Sequence, residues 1–164
     1  MKQKFSCETA SEWRYPLYMI NLLFLCTGNS CRSQMAEGWT RALKSDQIQA
    51  FSAGIETHGL NPNAVKVMAE AGVDITGQVS QHIDEFKDTK LDVVVTVCDH
   101  AHEHCPWFPG DCKIVHVGFE DPPRLARELA AQGASEEEQL EPYRRVRDEI
   151  KAFVEGLPES LPAE

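Results

Sequence analysis

INLLFLCTGNSCRS, residues 20–33, decides the fold. Its first six residues form a short, nearly unbroken apolar run, the mark of a buried strand. CTGNS then interrupts the run. From residue 33 the segment SQMAEGWTRALKS has helical spacing, with Met35, Trp39, Ala42 and Leu43 expected on one face and Ser33 as the N-cap. Strand, tight loop and helix in that order open an α/β domain.

The rest of the chain repeats the alternation. Residues 48–52 read as a weaker strand ending at Ala53-Gly54, and Asn61-Pro62 opens a helix that runs to a stop at Gly72. LDVVVTV (residues 91–97) is β-branched and unbroken, as a parallel strand covered on both faces should be. KIVHV (113–117) is another strand, and helices follow Asp121-Pro122-Pro123. The expected fold is a single three-layer α/β domain with a central parallel sheet of about four strands flanked by helices. Residues 1–18 are polar and without period and read as a loosely attached extension preceding Met19. The domain is expected over 19–157, with a C-terminal tail at 158–164.

Charge narrows the function. With 26 acidic and 16 basic residues the chain carries a net charge of −10, which argues against nucleic acid or an anionic membrane as partner. Residues 1–33 are the one net-positive segment, so an anion is expected there, held by local geometry. Six cysteines accompany core-forming runs rather than a short loop-rich chain. The first apolar run is too late and too broken for a signal sequence, and no stretch approaches a membrane span. The expected setting is the cytoplasm, with free thiols available for catalysis, redox chemistry or metal binding.

The loop after the first strand carries the chemistry. A loop wrapped into a helix N-terminus points several backbone N–H groups at one spot, a site for a tetrahedral oxyanion. Thr27, Gly28, Asn29, Ser30, Cys31, Arg32 and Ser33 form this cradle, with Gly28 and Asn29 expected to take positive φ and Arg32 to fork onto two anion oxygens. Cys26 at the base is the candidate nucleophile, its thiolate stabilised by the same donors and by the Ser33 hydroxyl. Cys31 is read as packing, its side chain turned from the anion. Asp121, fixed by the prolines after it, is either a general acid or an ordinary helix-start residue. Cys98 ends the strongest strand and so belongs at the same sheet edge as the loop. Cys105 follows seven residues later, on a segment that must rearrange for the two sulfurs to bond.

LFLCTGNSCRSQMAEGW resembles the low-molecular-weight tyrosine phosphatase superfamily, and within it the thioredoxin-coupled arsenate reductase branch. The likeness continues through FSAGIETHGLNP, DVVVTVCDHAHEHCP, VGFEDPP and YRRVRDEI, over about residues 19–155. It implies Cys26 as nucleophile, residues 27–32 as oxyanion cradle and Asp121 as general acid. It also implies a thiol cascade in which Cys98 and then Cys105 carry the electrons, ending in a Cys98–Cys105 disulfide that thioredoxin or a similar thiol reductant reduces. Arsenate is then the substrate, with phosphate and sulfate as competing oxyanions.

Two alternatives use the same residues. A phosphatase of phosphate monoesters needs only Cys26, Arg32 and an acid. A Cys/His metal-binding module would draw on Cys98, His100, His102, His104 and Cys105, with Cys112 and His116 nearby. It lacks paired Cys-x2-Cys half-sites, so no metal is assigned. Some relatives hold potassium near the loop. Asn29 and Glu37 match that pattern, but Val79 and Gln81 stand where those relatives place oxygen ligands, and Val79 cannot ligate a cation, so no cofactor is expected.

Overall fold

The computed structural model describes residues 18–106, 108 and 111–161. The expected extension, Tyr18 excepted, lies outside those residues, as do Cys7 and positions 162–164 of the expected tail. Four strands, β1 (Ile20–Cys26), β2 (Ile48–Gly54), β3 (Val93–Thr96) and β4 (Lys113–His116), form one parallel sheet in the order β2-β1-β3-β4. β1 is central because its sequence permits it: Leu22, Leu23, Phe24 and Leu25 are consecutive and all fully buried, so both faces of the strand are covered.

β3 is shorter than the expected 91–97. Leu91 and Val97 are buried flanks, while the ladder to β4 spans only the four residues from Val93 to Thr96. β4 is an edge strand whose residues alternate between partial burial and exposure. Ile114 is 45% exposed, and among the described residues no further strand pairs on that side.

The helices are α1 (Arg32–Leu43), α2 (Pro62–Glu70), α3 (Asp99–Glu103), α4 (Pro122–Ala131) and α5 (Glu136–Glu155), with a 3₁₀ turn at Ile83–Phe86. α1 begins earlier than expected: Cys31 holds the N-cap position without a side-chain cap, and Ser33 lies inside the helix with its hydroxyl engaged elsewhere. Met35, Ala36 and Trp39 face the core, but Ala42 and Leu43 do not. The last turn of α1, Arg41 to Leu43, is exposed, Leu43 by 41%.

α2 starts as the Asn61-Pro62 signal requires, the Asn61 side chain accepting the N–H groups of Asn63 and Ala64. α5 opens on a capping box between Ser135 and Glu138. α1 packs on β1 and β2, and α5 lies across α1, α2 and α4. No helix among the described residues is long and apolar enough to cross a membrane. Parallel strands bring their C-terminal ends to one edge, and there β1 delivers Cys26, β3 leads into Cys98 and the chain leaving β4 reaches Asp121.

Candidate active site

Cys26 is the last residue of β1, and beyond it the chain winds into α1. The carbonyls of Cys26, Thr27, Gly28 and Ser30 accept hydrogen bonds from the N–H groups of Ile55, Glu56, His58 and Asn61 at 3.2, 2.8, 2.9 and 2.9 Å. A trans peptide sets C=O and N–H on opposite sides, so carbonyls turned toward that segment aim the amides into the loop. Between Gly28 and Gln34 no backbone N–H donates to a protein acceptor among the described residues. This concavity of free amides at the start of α1 suits a tetrahedral oxyanion.

Two glycines make the winding fit. A Cβ on Gly28 would lie 2.3 Å from His58 Nδ1, and one on Gly54 would lie 2.2 Å from the Glu56 carbonyl and 2.8 Å from Asn29 N. Gly28 therefore serves close approach and not the expected positive φ; within the loop that conformation falls to Asn29, at +47°. Asn29 is fully buried and pinned on three sides. Its Oδ1 accepts the Gln81 N–H (2.7 Å), its carbonyl accepts Gln34 Nε2 (3.0 Å), and its Nδ2 donates to Ser33 Oγ (2.9 Å). Ser33 Oγ in turn lies 2.9 Å from Cys26 Sγ, so with its oxygen accepting from Asn29 the serine proton can point at the sulfur.

Arg32 donates to the Phe119 carbonyl at 3.0 Å, and its other terminal nitrogen lies 3.6 Å from Asp121 Oδ1. Asp121 occupies the N-cap position of α4 yet makes no capping bond, so its carboxylate is turned to the arginine and the cleft instead. Burial pushes the Cys31 thiol far above the usual cysteine range, with the neighbouring Cys26 adding to the effect, and Cys31 stays protonated.

Cys26, Thr27, Gly28, Ser30, Cys31, Arg32 and Asp121 line one cleft of about 530 Å³, while Asn29 and Ser33 support it from beneath. Cys98 adjoins it: its Sγ lies 3.3 Å from the hydroxyl of Thr27, the residue after Cys26. Cys98 also caps α3, accepting the Ala101 N–H at 3.4 Å. Cys105 is not brought to this group. It is half-buried beyond α3, with its sulfur on the Pro106 carbonyl. The histidines of the 98–105 segment converge on no metal-binding group of three or more His, Cys, Asp or Glu among the described residues.

His58, Asn61 and Arg127 are among the cleft residues that the sequence did not mark as part of a site. His58 and Asn61 follow from the loop they hold, which only the tertiary pairing reveals. Arg127 lies one helical turn after Pro123, and both line the cleft; that spacing was a usable signal.

Glu37 is taken by the Ser52 hydroxyl at 2.8 Å and the Arg41 guanidinium at 2.7 Å, Asn29 Oδ1 by Gln81, and the Val79 side chain offers no oxygen.

Residues 21–164 match the family model described as low molecular weight phosphotyrosine protein phosphatase. An arsenate reductase of Halalkalibacterium halodurans is 51% identical over 139 residues, covering 85% of this chain and 95% of its own length. One of Bacillus subtilis is 53% identical over 129 residues, covering 79% of this chain and 88% of its own. A solved structure of an arsenate reductase in the phosphate binding state has a TM-score of 0.65 at 33% identity, covering 88% of this chain and 100% of that one.

Proposed function

The chain belongs to the low molecular weight phosphotyrosine protein phosphatase family, and from that premise we propose that it is an arsenate reductase serving arsenic detoxification in the cytoplasm. Arsenate enters the amide cradle, and Arg32 forks onto two of its oxygens. The Cys26 thiolate attacks arsenic, and Asp121 supplies a proton to the departing oxygen, which leaves as water. Cys98 then attacks Cys26 Sγ. The S–As electron pair leaves with arsenic, which departs as arsenite, and a Cys26–Cys98 disulfide forms. Cys105 attacks Cys98 Sγ, returning Cys26 to its thiolate and producing a Cys98–Cys105 disulfide. Thioredoxin or a similar dithiol provides the two electrons and two protons that restore the pair.

The observation that carries this reading is the 3.3 Å contact between Cys98 and Thr27, which sets a second thiol beside the nucleophile's loop. A phosphatase has no use for that thiol. Hydrolysis of phosphate monoesters is a side activity in this reading, because phosphate and arsenate are both tetrahedral anions. No cofactor enters it.

The test separates the two reactions. Arsenite release with a thioredoxin system is expected to vanish in Cys98→Ser, while cleavage of a chromogenic phosphate monoester persists. Arsenite release unchanged in that variant would overturn the electron path. Running the assay with glutathione in place of thioredoxin identifies the reductant.

A further inference from the structure

Four side chains outside the cleft form one connected group around α3. Thr96, at the end of β3 and fully buried, has its hydroxyl oxygen 3.3 Å from His102 Nδ1 and 2.9 Å from His116 Nδ1. The two imidazoles lie with centroids 4.5 Å apart, tilted by 33°, and His116 Nε2 lies 3.1 Å from Asp99 Oδ1. Hydrogen-bond inventory orders the protons. Asp99 is acceptor-only, so His116 carries a proton on Nε2. The Thr96 hydroxyl sits against the other ring nitrogen of His116 at 2.9 Å, with the Val115 carbonyl at 3.5 Å as a further acceptor of its one proton. The remaining contact runs from His102 Nδ1–H to the Thr96 oxygen.

The members are placed where they govern one movement. Asp99 and His102 both lie between Cys98 and Cys105, whereas Thr96 and His116 belong to the sheet. The chain of bonds thus ties α3 to β3 and β4 at two points. Cys98 is the N-cap of α3 and Cys105 stands two residues past its end, their sulfurs on different partners, Thr27 and the Pro106 carbonyl, so the 98–105 segment has to rearrange before the two sulfurs bond.

We propose that Thr96, Asp99, His102 and His116 are a clasp that stabilises the reduced, helical form of the 98–105 segment and so tunes the Cys98–Cys105 couple toward easy re-reduction. The inference rests on the thiol cascade proposed above. It assigns these four residues as positioning residues that act through α3, not on the substrate. Formation of the disulfide releases two protons and two electrons to the oxidant. Any bond present only in the reduced form makes that oxidation less favourable and raises the reduction potential.

The experiment is a redox titration of the full chain in mixtures of reduced and oxidised dithiothreitol, at one fixed pH. Thiols are trapped by alkylation, and the disulfide is assigned by peptide mass mapping. His102→Leu and His116→Leu are expected to form the Cys98–Cys105 disulfide about threefold to tenfold more readily than the parent, a potential lower by about 15 to 30 mV. His102→Asn, whose amide N–H can replace Nδ1–H, is expected to return toward the parent value. Amide exchange at His102 and His104, whose N–H groups close the turn on the carbonyls of Cys98 and His100, is expected to quicken in the reduced leucine variants.

Equal potentials in all four proteins would overturn the clasp while leaving the cascade intact. A parent protein in which Cys105 bonds another cysteine, or none, would overturn both. Loss of thermal stability without a change in potential would mark the histidines as merely structural and count against the clasp.

Discussion

Asn29, Ser33 and Cys26 form a short line of buried donors and acceptors, and its direction is set at one end. Asn29 Nδ2 can only donate, so Ser33 Oγ accepts there and has its proton free for the sulfur 2.9 Å away. A hydrogen bond to a charged group contributes about 1.5–3 kcal/mol, so Ser33→Ala is expected to lower kcat/KM for arsenate by about ten- to a hundredfold. Alkylation of Cys26 by iodoacetamide should slow with it, and a rate equal to the parent's would remove Ser33 from the mechanism. Cys31 provides the contrast within the loop. Its burial keeps it protonated, so at neutral pH it is expected to resist alkylation until the protein is unfolded in urea, as peptide mapping would show. The Ser33–Cys26 partnership was legible in the spacing of the loop. The device that fixes the serine proton's direction was not, because it depends on Asn29 being held by Gln81 and Gln34, one of them 52 residues distant.

The loop is built by two elements pressing on each other, and the two glycines at their contact differ in what they face. Gly28 meets the ring of His58, a side chain half exposed and able to swing away. Gly54 meets backbone on three sides, from Glu56, Asn29 and Thr27. Gly54→Ala is therefore expected to cost about 3 kcal/mol, at the upper end of overpacking penalties, and to open the amide cradle. Gly28→Ala should cost about 1 kcal/mol and chiefly displace His58 from the cleft. Urea unfolding of both variants tests the order, and a Gly54→Ala protein as stable as Gly28→Ala would contradict it.

The same elements show where sequence reading stops. β1 and α2 were legible because each carries its whole signal locally, in a continuous apolar run and in Asn61-Pro62. The solvent-facing end of α1 and the exposed residues of β4 were not, since what covers an element depends on where the sheet ends. Cys98 was placed at the right edge by its position after the strongest strand. Its contact with Thr27 needed the register of β1 against β3.

Over the whole molecule a net charge of −10 opposes the approach of any anion, and the cleft answers it with few groups. Arg32 is shared with Asp121. Arg127 is exposed, lines the cleft and has no carboxylate partner among the described residues, unlike Arg41, Arg124, Arg144, Arg145 and Arg147. An exposed charge contributes about 1 kcal/mol or less, so Arg127→Gln is expected to raise KM for arsenate about twofold to fivefold with kcat little changed. A fall in kcat instead would move Arg127 from capture into the reaction.

The acidity also reaches under the site, and there it leaves a mark on stability. Glu37, on α1, reaches Ser52 of β2 and Arg41, and is 5% exposed. Burial raises its carboxyl above the ordinary glutamate range despite both partners. The folded protein therefore holds this proton more tightly than the unfolded chain does. Between the ordinary value and the raised one, unfolding releases a proton, so stability falls as pH rises through that window. Above it the full cost of the buried carboxylate is present. Glu70 beside Arg144, Asp74 beside Thr76 and Glu138 at its helix cap are pulled the other way, and they lose stability as the solution is acidified.

A stability profile of the parent mixes these opposing effects, but its difference from Glu37→Gln isolates one. The glutamine can still accept from Ser52 and forfeits only the half-exposed pair with Arg41, worth about 1 kcal/mol or less. Glu37→Gln is expected to gain on the parent as pH rises from acidic to neutral, and to be at least as stable at neutral pH, by urea unfolding at a series of pH values. A difference that stays flat across that range would mean that the carboxylate under the loop is already fully compensated by its partners.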